Sequence, residues 1–426
     1  MKKKIISSVL LASLILLNSC SSTPASAPVD LPSSYSILNS GFEANVRAEN
    51  FRDGWAMSSV TAMESELWTR NGIQANLTPG ILVNTVYTGE QANSAEGYYS
   101  SNPLRAGCLP VWITTALATH GMEGYVLTES NDYTSADRDV IKDKIISGGA
   151  LTCFIRGDED WRYSDYNGRT TYNYPDIQNI IQRDRIVTIV GWDDDFPASD
   201  FLHEASGNGA WLVQNTFGAY WGDDGYFWMS YDTPLFGVCD LNLSDEYSEV
   251  VSYESSVSCL ASTGGSTTTA NVFVHRGTLG AVGTYTSQPN ETIKVEIYNG
   301  QLGDHLLCSQ QQTFEYPGYH TIVLDEPVEV NSFTVVVRYP GGAPVEGASY
   351  QSTTDDSITR GYYASSQAGQ SYIRINGQWV DLSSPDVRNM IDIISDGESQ
   401  AGFGYLGLIG HHSAVPNNAC IKVLFI

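Results

Sequence analysis

Positive charge is scarce in this chain: 22 lysines and arginines stand against 48 aspartates and glutamates, a formal charge of −26 over 426 residues. That balance repels a phosphate backbone and argues against nucleic acid as a partner. Histidine is scarce as well, and only His120 and His203 precede residue 245. No apolar run reaches the roughly 20 residues of a membrane-spanning helix. The acid-rich spots Asp158-Glu159-Asp160 and Asp193-Asp194-Asp195 lack EF-hand spacing, so the calcium signal is weak and no metal or other cofactor is expected. No internal repeat is present, which sets aside repeat architectures.

What is present begins with an address. Met1-Lys2-Lys3-Lys4 followed by the apolar run from Ile5 to Leu17 has the basic and apolar regions of a secretory signal. The run ends in Leu17-Asn18-Ser19-Cys20, which resembles the bacterial lipoprotein processing box. The resemblance implies cleavage before Cys20 and lipid attachment to it, so that the protein is exported and held in the cell envelope by a membrane anchor. The alternative is a plain signal peptide with an incidental cysteine. Residues 1–20 are read as this signal and residues 21–30, rich in Ser, Pro and Ala, as a flexible linker. Six further cysteines lie three to each half: Cys108, Cys153 and Cys239, then Cys259, Cys308 and Cys420. Export permits disulfides, and three per half means either a bridge between halves or a thiol left in each.

Two helical stretches come first in the remainder, then strands, which predicts an α+β first half over residues 31–245. The first helix starts near Asp53, a candidate N-cap, carries Trp55, Ala56, Val60, Met63 and Leu67 toward a core, and stops at Asn71-Gly72. The second runs near Val111 to His120. Residues 150–155, 186–192, 210–213 and 225–229 read as strands, the second apolar on both faces and therefore buried. From about residue 250 to 426 helix signals vanish, and short alternating segments such as Ile293-Lys294-Val295-Glu296-Ile297-Tyr298 predict an all-β sandwich domain.

Several of these segments resemble the papain-like family of cysteine peptidases, in the bacterial branch with a C-terminal lectin-like domain. Leu31-Pro32-Ser33-Ser34-Tyr35 is similar to the entry of that peptidase domain, and Leu77-Thr78-Pro79-Gly80 to a helix entry within it. Asp184-Arg185-Ile186-Val187-Thr188-Ile189-Val190-Gly191-Trp192 resembles the histidine-bearing strand, and the long block from Gly207 to Gly218 the asparagine-bearing one. Gly318-Tyr319-His320, Ser371-Tyr372-Ile373 and Asn418-Ala419-Cys420 resemble the lectin-like part. The resemblance implies a two-lobed papain-like fold followed by the β domain.

The chemistry that the resemblance would imply is missing from its own positions. The nucleophile slot in Phe51-Arg52-Asp53-Gly54-Trp55 is Gly54, which has no sulfur, and the histidine slot is Arg185, which stays protonated and cannot act as a general base. The two slots lie 131 residues apart (185 − 54), in keeping with the roughly 130–150 of papain-type enzymes. Asn215 is retained, with Phe217 where the family has a shielding tryptophan, and the oxyanion-hole glutamine is replaced by Ala48 or Glu49. After Cys108 the chain reads Leu109-Pro110-Val111, and proline cannot donate a hydrogen bond to a substrate backbone.

These residues point to a non-catalytic binder of a peptide, protein or glycan, tethered to the envelope. Two alternatives stand beside it: residual cysteine-type proteolysis at an unrecognised site, and a carbohydrate-binding adhesin working through the lectin-like domain, with Trp379, Tyr362 and Tyr363 as candidate sugar-stacking aromatics. Arg185, as a permanent cation, is expected to pair with Asp184, Asp53 or Glu49 or to be available to an acidic ligand, or else to face outward.

Overall fold

Helix α1 (Gly54–Asn71) is set by a stretch of small and apolar residues ended by Gly72, whose left-handed backbone (φ 68°) returns its N–H to the carbonyls of Leu67 and Trp68. The computed structural model describes residues 30–88, 97–156, 163–166, 168–175, 185–257, 259–347, 349–353, 357–394 and 416–426. Three more α-helices follow in the first half: α2 (Pro79–Val86), α3 (Pro110–His120) and α4 (Arg138–Gly148). Helix α4 has no counterpart among the helices expected from the sequence. It is polar overall and buries only Ile141, Lys142 and Ile145, so its apolar stripe is too thin to stand out. Among the described residues no helix is long and apolar enough to cross a membrane.

The strands Phe236–Cys239, Leu151–Ile155, Arg185–Asp193, Ala210–Gln214 and Tyr226–Ser230 lie side by side in one sheet. Arg185–Asp193 is central and buried on both faces, as its unbroken apolar run requires. Its antiparallel neighbour pairs Thr188 with Gln214, which brings the start of one strand to the end of the other.

In the second half the alternation of Glu291–Asn299 is realised: Ile293, Val295 and Ile297 are buried while Lys294, Glu296 and Tyr298 are partly exposed. Residues 320–324 and 333–337 are two parts of one long strand, Gly318–Tyr339. Between them its register against Thr267–Thr286 jumps from Val323 to Val328, so the stretch with Pro327 bulges out and loses no ladder bond.

The halves are not separable layers, because Pro32–Ile426 packs as a single unit. Strand Val126–Asn131 of the first half pairs with Gly318–Tyr339 of the second, placing Ser130 opposite Tyr319 and Glu129 opposite His320. Strand Gly97–Ser100 likewise pairs with Thr359–Tyr363. Between those two strands and α3, Tyr98 stacks on Trp112 at 4.6 Å and meets Tyr362 edge-on. Tyr362 is therefore core, only 3% exposed, and not a surface platform for sugars. Tyr363 sits beside Tyr99 at 6.2 Å, and Trp379 is half-buried under Arg374. None of Cys108, Cys153, Cys239, Cys259, Cys308 and Cys420 is bridged, so each half keeps its thiols. Cys20 lies outside the described residues.

Candidate functional site

Two clasps bring the singled-out residues together. Ser58 Oγ donates to the Ile186 carbonyl at 2.8 Å and Thr188 Oγ1 donates to the Ser58 carbonyl at 3.0 Å, which ties the first turns of α1 to the Arg185–Asp193 strand. In the second clasp Glu49 N–H donates to Thr216 O (2.8 Å) and Gly218 N–H to Arg47 O (3.1 Å), with Ala48 bridged to Phe217. The segment before α1 is thus zipped to the one after Asn215. Beneath it, Arg47 makes a two-pronged pair with Glu64 of α1 at 2.6 and 3.1 Å. Asp53 stands at the N-cap position but makes no side-chain cap, and its Oδ1 is buried without a hydrogen bond. The cap expected from the sequence is absent because its backbone (φ −98°, ψ 9°) is not extended.

Gly54, Arg185, Asn215 and Glu49 meet at the helix start. Arg185 Nη1 lies 2.9 Å from Glu49 Oε1, 3.2 Å from Thr216 Oγ1 and 3.5 Å from Asn215 Oδ1. The guanidinium carbon stands 4.1 Å from the centroid of the Phe217 ring. The Arg185 and Glu49 side chains are only 13% and 14% exposed, so solvent and salt screen the pair weakly. Of the three carboxylates expected as partners, Glu49 is one, while Asp184 lies outside the described residues. Of the two oxyanion-slot candidates, Ala48 is exposed in the bridge to Phe217, and Glu49 turns into the cluster.

Gly54 has no space for a side chain. A Cβ on it would lie 2.1 Å from Glu49 Oε2 and 2.6 Å from Thr216 Oγ1. The carboxylate therefore occupies the N-terminus of an 18-residue helix, where the macrodipole favours a negative charge.

A sequence profile of papain family cysteine proteases matches residues 114–248, and a profile of lectin like domains matches residues 251–392. The crystal structure of the cysteine protease and lectin-like domains of Cwp84, a surface-layer-associated protein of Clostridium difficile, superposes with a TM-score of 0.67 at 17% identity, covering 92% of this chain and 88% of that one. A clostridial Cwp84 structure after propeptide cleavage gives 0.68 at 18% identity, with 92% and 99% covered. The fold is papain-like, followed by a lectin-like β domain. No curated sequence matches it.

In the papain-like half, the α1 start and the central strand face each other with a guanidinium, a carboxylate and an amide between them, and among the described residues no thiol and no imidazole lies there. Asn215, 1% exposed, turns Oδ1 toward Thr216 N–H at 2.9 Å and toward Arg185, and its Nδ2 is buried without a hydrogen bond. The four buried thiols, Cys108, Cys153, Cys239 and Cys420, are poor nucleophiles. Burial pushes Cys108, Cys153 and Cys420 well above the usual thiol range and Cys239 up to about 12, so none supplies a thiolate. Cys108 bonds to the Leu109 carbonyl, Cys239 lies 3.1 Å from Thr152 Oγ1, and Cys420 bonds to the Ser256 carbonyl. His120 ends α3, where burial and the nearby Lys422 charge lower its pKa. The carbonyl of His203 accepts from Asn173. Pro110 opens α3 at a helix position that needs no N–H donor. Asp194 of the acid run is engaged by Lys142 at 2.6 Å and Tyr231 at 2.7 Å, while Asp158-Glu159-Asp160 lies outside the described residues.

Sequence reasoning missed the part played by Thr216, whose hydroxyl joins the arginine cluster, and the Arg47–Glu64 brace. A threonine after the asparagine carries no distinguishing signal, and a pair 17 residues apart in chain positions depends on how two segments pack.

Proposed function

We propose that this protein is a non-catalytic papain-like lipoprotein of the cell envelope that binds a peptide or protein partner at the former active-site region and a glycan through its lectin-like half. The observation that carries the reading is the Arg185–Glu49 ion pair at Gly54: a carboxylate lies where a nucleophile would project, and a permanent cation lies where a proton-exchanging imidazole would be needed. Large apolar side chains remain exposed on segments tied to this cluster. Phe51 is 54% exposed, Leu104 lies on the loop whose carbonyl accepts from Arg52, and Tyr220 follows Gly218 and is fully exposed. Surface of this kind suits an extended peptide better than a small polar ligand.

The test is a thiol-directed epoxide probe together with a panel of peptide substrates. The expected result is neither labelling nor cleavage; labelling that a peptide substrate competes away would overturn the reading. Lipid attachment is tested separately: labelled palmitate should be incorporated by the wild type and lost entirely in Cys20→Ala, with the protein moving from the membrane to the soluble fraction. Incorporation that survives this substitution would contradict the anchor.

A further inference from the structure

The lectin-like half holds a cavity of ≈ 490 Å³ between a small sheet (Ala343–Val345, Cys259–Ser262 and Asp392–Ile394) and the large sheet that contains Thr267–Thr286 and Gly318–Tyr339. From the small sheet come Ser262 and Asp392, which pair across adjacent strands. From the large sheet come Arg338 and Thr268, paired directly. The residue after Thr268 pairs with Ile373, so Arg374 continues the same cross-strand row. Lys294 extends it on the other side, opposite Arg338. Side chains in one such row emerge on one face, and the two arginines sit two strands apart, roughly 10 Å at the backbone.

Their pairing differs in a useful way. Glu296 takes Lys294 at 2.6 Å and stands 3.8 Å from Arg338, whose side chain is 45% exposed. Arg374 bonds through Nε to the Gly377 carbonyl and lies 5.9 Å from the Trp379 ring, and among the described residues it has no carboxylate partner. The rim is stiff: Asn376 and Gly377 both adopt left-handed backbone (φ 50° and 81°) and close a two-residue hairpin. On the opposite rim stand Asn389 and the half-exposed Met390.

In a protein with a formal charge of −26, paired guanidinium groups at a cavity serve no general need for solubility. Guanidinium forks match carboxylate, sulfate and phosphate oxygens, while the Asn, Ser and Thr groups and the Asp392 carboxylate suit hydroxyls, and the Met390 side chain offers an apolar face to a sugar ring. We propose that this cavity is a saccharide site that takes an anionic glycan, with its acid group held by Arg338 and Arg374. The proposal deepens the glycan-binding reading and does not depend on the cluster at Gly54.

The full chain is titrated calorimetrically with polygalacturonate fragments and with their methyl esters, and with sulfated dextran and plain dextran. The expected result is that at least one charged form binds about tenfold or more tighter than its neutral counterpart, and which pair shows the difference tells whether the acid is a carboxylate or a sulfate. Arg338→Gln and Arg374→Gln should each weaken that binding about tenfold, and Arg374→Lys should recover part of the loss. Arg276→Gln, at an exposed arginine outside the cavity lining, should leave it unchanged. Equal binding of charged and neutral forms overturns the anionic site while leaving glycan binding in place. Absence of binding to all four, or equal weakening by Arg276→Gln, also overturns the proposal.

Discussion

Gly54→Cys alone is expected to destabilise the chain by about 2 kcal/mol, measured by denaturant unfolding at neutral pH, and to produce no peptidase. The new Cβ would fall 2.1 Å from Glu49 Oε2 and 2.6 Å from Thr216 Oγ1, so both groups must swing away and Arg185 loses its principal anion. Breaking a well-buried ion pair by removing one partner costs about 3–5 kcal/mol; here the carboxylate is displaced toward solvent, which sets the lower figure. Chemistry would still be missing, because Arg185 cannot exchange a proton.

Replacing three residues together changes the outcome. Gly54→Cys with Arg185→His and Glu49→Gln places a thiol at a helix start, an imidazole against Asn215 and an amide donor in the oxyanion slot. That triple variant should be labelled by the epoxide probe and should cleave peptides. The double variant that keeps Glu49 should be slower by about 10²–10³, the usual effect of losing one oxyanion donor. Equal activity of the double and triple variants would show that Glu49 does not occupy the oxyanion position.

Stability should fall as pH rises from about 5 to 9, the reverse of the behaviour of most carboxylate-rich proteins. Glu346 is fully buried and accepts from Ser255 N–H and Oγ at 2.8 Å, Ser256 N–H at 3.1 Å and Asn418 Nδ2 at 2.7 Å. Burial outweighs these bonds and pushes its carboxyl up to about 8. Glu66, also buried, is pushed up to about 7 in spite of Arg70 at 3.2 Å. A carboxyl whose folded pKa is raised binds its proton more tightly in the native state. Its contribution is therefore complete below the usual 4.5 and is lost as pH climbs through 7 and 8.

For Glu346 the loss is on the order of 5 kcal/mol. Glu129 is lowered, because hydrogen bonds and charge from His320 outweigh its burial, and its contribution acts in the opposite sense, being lost as pH falls. The thermal unfolding midpoint should then peak near pH 5. Glu346→Gln should flatten the alkaline limb and exceed the wild type at about pH 9, with Asn418 turning its unpartnered Oδ1 to the new amide. A midpoint that rises between pH 5 and 9 would show that these carboxyls titrate normally.

Much of the architecture was legible because it is written in local periodicity. The small and apolar stretch ended by Gly72 marks α1, the unbroken run from Ile186 to Trp192 marks a strand buried on both faces, and the alternation at Ile293–Tyr298 marks a half-buried one. Helix α4 escaped notice because its stripe is thin, and Tyr362 was misplaced because its partner strand, Gly97–Ser100, lies more than 250 residues earlier.

The sequence by itself determined the α+β first half, the β-rich second half, and the absence of cysteine at Gly54 and of histidine at Arg185. Only the tertiary structure decided that the halves share sheets, that the cysteines stay unbridged, and that Glu49 lies over the α1 start against Arg185. The reason is distance along the chain. Backbone periodicity depends on neighbouring residues, whereas an ion pair between residues 136 positions apart exists only once two clasps have fixed a strand, a helix and a loop against one another.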